Sequence, residues 1–67
     1  MAIQFQVGDK VTRGDGDLHV IVDINDIGDS METVCIVGAF WINAGEHDWA
    51  HPRRYQHAGE VIDGAAR

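Results

Sequence analysis

A chain of 67 residues with net charge −6 and a single cysteine, Cys35, has room for one domain with a thin core and excludes an intrachain disulfide. Its 45% hydrophobic and 24% charged content is that of a folded protein and not of a disordered one. The acid excess argues against nucleic acid as a partner of the whole surface, because phosphate neutralisation supplies most of such affinity.

No stretch approaches the roughly 20 apolar residues of a membrane helix. The opening MAIQFQVGDK has neither the basic nor the long apolar region of a secretory signal. Cys35 lies in an apolar run with Val34, Ile36 and Val37, which suits a buried thiol in a reducing cytoplasm. A scaffold this small with no disulfide raises the expectation of a homo-oligomer. The acid crowds the first half, from Asp9 to Glu32, while Arg53 and Arg54 sit with His51 and His57 in the second. The field is therefore expected to be two-sided, with an acidic face suited to a basic partner.

In chain order, Met1 to Gln6 alternates apolar and polar residues, as a strand or an ordered arm packing on the core. Val7-Gly8-Asp9 interrupts it, and Lys10 to Arg13 reads as a short strand with Val11 inward. Gly14-Asp15-Gly16-Asp17 is the strongest turn signal, since glycine supplies the positive φ of tight hairpins. Leu18 to Ile24 is the clearest strand, with Leu18, Val20, Val22 and Ile24 predicted on the core face. Ile21 on the opposite face suggests that this side is partly covered too. Asn25 to Ser30 is a second turn.

Thr33 to Ile42 is nearly all apolar and rich in strand formers, and Gly38-Ala39 marks a bend within it. One bent strand, or two joined tightly at Gly38, is predicted, with Val34 and Ile36 in the core. Asn43-Ala44-Gly45 is a third turn. Glu46 to Ala50 is a short strand with Trp49 inward, ended by Pro52. Arg53-Arg54-Tyr55 reads as a single 3₁₀ turn, and Gly59 to Asp63 as a last strand. Together these predict an all-β, SH3-like barrel of about five strands in one domain over residues 1–67, with a 3₁₀ turn near residues 52–56.

The sequence V-G-D-x-V, then R-G-x-G, then L-x-V-x-V-x-I, carried by Val7, Gly8, Asp9, Val11, Gly14, Gly16 and Leu18 to Ile24, resembles the start of small prokaryotic SH3-like β-barrel proteins. These include KOW-type domains and the YodC-like small proteins. The likeness runs over roughly residues 7–35. It implies a binding module and names no substrate.

His47 and His51 are four apart, which on a helix suits zinc, but on a strand leaves them too far apart for one metal. No metal and no cofactor are expected. Ser30 lies in a turn and Cys35 in a core run, so no activated nucleophile is in view, and the chain is expected not to be an enzyme. Consecutive Phe40 and Trp41 point to opposite faces of a strand, so one of them faces outward. Trp41, Trp49 and Tyr55 are the expected contact aromatics, because such side chains combine area with a polar tip. Arg53 and Arg54 join them as binding residues able to clamp a carboxylate or phosphate, against the plainer reading that they neutralise Glu46, Asp48 or Glu60.

The expected function is non-catalytic binding of a protein partner, or of the chain's own copies, through this aromatic face. Two alternatives stand beside it. One is an acidic inhibitor, of phage or mobile-element type, that blocks a basic nucleic-acid-binding protein. The other is an oligomeric mini-barrel enzyme with its site at a symmetry axis.

Overall fold

The computed structural model describes residues 4–58. Five strands form one antiparallel sheet: β1 (Lys10–Thr12), β2 (Leu18–Ile24), β3 (Met31–Val37), β4 (His47–Ala50) and β5 (Gln56–His57). A 3₁₀ turn, Pro52–Arg54, joins β4 to β5. The fold is small and all-β. Its strand order is β4-β3-β2-β1-β5, a meander of four strands whose fifth pairs with the first. No helix among the described residues is long and apolar enough to cross a membrane.

Local chemistry explains the joints. Gly14 and Gly16 take φ of 92° and 80°, a region closed to most side chains, and turn the chain from β1 into β2. Asn25 ties the β2–β3 loop to itself. Its side chain donates to Asp29 Oδ1 at 2.7 Å and accepts from the Asp29 and Ser30 amides at 3.1 and 3.2 Å. Of the expected arm, residues 1–3 lie outside the described residues, while Phe5 is half-buried against the core and lies 4.6 Å, centroid to centroid, from the His57 ring. The predicted strand Gly59 to Asp63 lies outside the described residues, and the fifth strand is instead Gln56–His57.

The run after β3 is a strand followed by a two-residue hairpin. Ala39 and Ile42 bridge, with amide-to-carbonyl distances of 2.9 and 3.2 Å, and Phe40-Trp41 forms the tip. Gly38 permits this: a Cβ there would lie 2.9 Å from the Ile42 carbonyl and 3.1 Å from the Ala44 amide.

The core face of the sheet differs from the expected one. Val11, Ile21, Met31 and Tyr55 form the buried cluster, with Phe5, Ile24 and Ala50 against it. His19, Thr33, Cys35 and Ile42 are also buried. Of the residues predicted as core, Leu18, Val20, Ile24 and Val34 are only half-buried, and Val22 and Ile36 are exposed. Trp49, predicted inward, is exposed as well.

Two register breaks between β2 and β3 supply part of the reason. Ile21 faces Thr33 and Asp23 faces Glu32, so Val22 is an extra residue in β2. His19 faces Cys35 and Leu18 faces Val37, so Ile36 is an extra residue in β3. Each bulge shifts the alternation by one. His19 and Ile21 point inward with Cys35 and Thr33, and the extra residue Val22 lets Ile24 rejoin that side beside Met31. Val20 pairs outward with Val34.

Candidate functional site

The interior has an apolar end and a polar-aromatic end, and the second gathers most of the chain's chemistry. Asp17 and His19 flank the start of β2. Asp17 is wholly buried at the side chain, yet all its oxygens are engaged. The Thr12 hydroxyl donates to Oδ1 at 2.8 Å, the Asp15 amide to Oδ1 at 3.0 Å and the Arg13 amide to Oδ2 at 3.1 Å. Burial alone would raise its pKa. The Arg13 amide, the Thr12 hydroxyl, the Asp15 amide and His19 together overcome that and hold it well below the usual carboxylate range.

Arg13 closes this end. Its guanidinium lies 4.1 Å from the Trp41 ring centroid and 4.8 Å from that of Tyr55. It donates to the Tyr55 hydroxyl at 2.9 Å and pairs with Asp48 on β4. The Tyr55 hydroxyl also meets Thr33 Oγ1 at 3.2 Å. His19 sits 5.5 Å from both the Trp41 and Tyr55 rings. Side chains therefore tie the end of β1 to β4, two strands that share no backbone ladder. Arg13 Nε, His19 Nδ1 and Trp41 Nε1 are buried here without a hydrogen-bond partner. Each such group costs about 1–3 kcal/mol, so this end depends on the stacking and ion pairing that surround it.

Cys35 borders the cluster, buried, with its thiol donating to the Val37 carbonyl at 3.3 Å. Desolvation first, then the charges of Asp17 and Glu46, push the thiol pKa up, which disfavours the nucleophilic thiolate. Ser30 contributes its amide to the β2–β3 loop.

The expected contact residues fall into separate places. Tyr55 is core, 3% exposed. Trp41 is half-buried beneath Arg13, and Phe40 is the outward member of that pair, 92% exposed. Trp49 stands out from β4, 51% exposed, opposite Glu32 on β3. Arg53 and Arg54 are exposed on the 3₁₀ turn. Asp48 is engaged by Arg13 and Glu46 by Asn43, so neither acid is the counterion expected for them. His47 pairs with Glu32 at 2.8 Å, and His51 accepts from the Arg53 amide as the cap of the turn. Sequence reasoning missed Arg13, Asp17 and His19. The one available signal was a buried-strand pattern with a histidine two residues from an aspartate.

The outer face of β2, β3 and β4 carries exposed apolar side chains. Val20 and Val34 form a cross-strand pair there, Val22 and Ile36 bulge outward, and Trp49 stands beside Glu32. No family model, curated protein or solved structure matches the chain.

Proposed function

We propose that the chain is a small, non-catalytic, cytoplasmic binding module that engages a protein partner through the outer face of β2, β3 and β4. The observation that carries this reading is the exposure of Val22, Ile36, Val37 and Trp49 while the opposite face of the same sheet supplies the core. Apolar surface rimmed by polar groups is where proteins dock. Tryptophan is the residue most suited to anchor such a contact, and the Glu32–His47 pair supplies a polar rim. Trp41 and Tyr55, from the expected contact set, serve this reading from inside by holding β1 to β4. Arg53 and Arg54 stand close in the chain as charged contacts at the periphery. The strand order and the SH3-like resemblance support the same role.

The test uses the full chain with Trp41→Phe, leaving Trp49 as the sole tryptophan. Partner binding is expected to shift Trp49 emission to the blue. Ile36→Asp should abolish capture of that partner with the amide spectrum otherwise preserved. Unchanged capture by Ile36→Asp would remove this face from the interface. Light scattering on both proteins separates a foreign partner from a second copy.

A further inference from the structure

A second surface lies at the opposite end of the molecule from Arg13 and Trp41. Phe5, Ile24, Met31 and Pro52 line a cleft of ≈ 320 Å³, with Gln4, Gln6 and Gly28 completing it. This is at the small end of the roughly 300–1,000 Å³ typical of binding clefts. Its apolar side chains are anchored, because Phe5, Ile24 and Met31 belong to or pack on the core cluster. One wall is the β2–β3 loop, which the Asn25 bonds hold in a single shape. That loop carries Asp26 and Asp29 and presents Ile27 at 79% exposure. From Gly14 through Pro52 the chain has no lysine or arginine and eight aspartates and glutamates. Arg53 and Arg54 follow Pro52 in the chain and are exposed.

We propose that this cleft receives a short cationic protein segment. An apolar side chain of the segment sits on Phe5, Ile24, Met31 and Pro52, and a neighbouring lysine or arginine lies against the acidic β2–β3 loop. Apolar seating fixes the position, and charge complementarity fixes the sign and the direction. Asp26 and Asp29 flank Gly28, which lines the cleft, so the cation belongs at the loop. The proposal rests on the reading of the chain as a binding module and adds a second surface, of different chemistry, to the outer sheet face.

The full chain, labelled with nitrogen-15, is titrated with acetyl-Arg-Leu-Arg-Leu-Arg-amide, with acetyl-Glu-Leu-Glu-Leu-Glu-amide, and with spermine as a cation without apolar side chains. The arginine peptide is expected to shift the amides of Gln4 to Gln6 and Ile24 to Met31. Its affinity should fall about fivefold or more between about 50 and 300 mM salt. Asp26→Lys, at an exposed loop position, should weaken it by a further factor of about three or more. The glutamate peptide and spermine should leave the cleft amides in place. Equal binding of the two peptides, reproduction of the shifts by spermine, shifts confined to Val20, Val34 and Trp49, or no response at millimolar peptide would each overturn the proposal. The Ile36→Asp test reads the outer sheet face and these titrations read the cleft, so the two readings fail separately.

Discussion

His19 Nε2 lies 2.5 Å from Asp17 Oδ2, and both side chains are wholly buried. Two residues apart at the mouth of β2, they place a polar pair where a run of alternating apolar residues predicts only surface. The Asp17 carboxylate also accepts from Thr12, Arg13 and Asp15, so it joins the β1–β2 turn to the strand that follows.

Asp17→Asn should destabilise the protein by about 3 kcal/mol at neutral pH, because it leaves buried donors facing an amide. The pH dependence has a definite sign. Asp17 is held below its ordinary value in the folded state, so its contribution is complete above the unfolded-chain value of about 3.9 and is lost as pH falls below it. Urea melts of wild type and Asp17→Asn should therefore differ at pH 7 and converge towards pH 2.

Arg13→Met tests the closure of the polar end. Asp48 is partly open to solvent, so the ion pair itself contributes little. The loss comes from the stacking on Trp41 and Tyr55 and from the hydrogen bond to the Tyr55 hydroxyl, together about 1–3 kcal/mol. In a Trp49→Phe background, Trp41 emission should shift to the red as its cover is removed.

The inward and outward faces of β2 and β3 should answer truncation differently. Ile21→Ala and Met31→Ala remove fully buried side chains and should each cost about 2–4 kcal/mol. Val22→Ala and Ile36→Ala act at exposed bulges and should cost under about 1 kcal/mol. Equal losses at Ile21 and Val22 in denaturant melts would contradict the assignment of faces.

Gly38→Ala should destabilise by about 1–3 kcal/mol, since the new methyl meets backbone at 2.9 and 3.1 Å and no flexible side chain can yield. Altered amide shifts should concentrate at Ala39 to Ala44.

Cys35 should resist alkylation in the native state at pH 8. Its burial and raised pKa leave little exposed thiolate, so labelling should follow unfolding. A native rate close to that of a free thiol would place Cys35 at the surface.

Much of the fold was legible in the residues alone. Leu18–Ile24 has the bounds the alternation predicts, and Asn25 to Ser30 turns because asparagine, glycine and aspartate satisfy their own backbone. The 3₁₀ turn follows from a proline that starts it and a histidine that caps it. The choice of face was not legible. Both sides of Leu18–Ile24 carry apolar residues, and alternation has no means of registering a bulge in the paired strand.

The chain's own order of residues thus determined that it is extended, where it turns, and that it carries more apolar surface than one thin core consumes. Only the tertiary structure decided which surface is left over. The bulges at Val22 and Ile36 reverse the alternation, and His19 turns inward because Asp17 is there to pair with it. Tyr55 is buried because Thr33 and Arg13, 22 and 42 positions away, hold its hydroxyl. Such contacts depend on which strands become neighbours, and that is settled by the pairing of the whole sheet and not by any local run of residues.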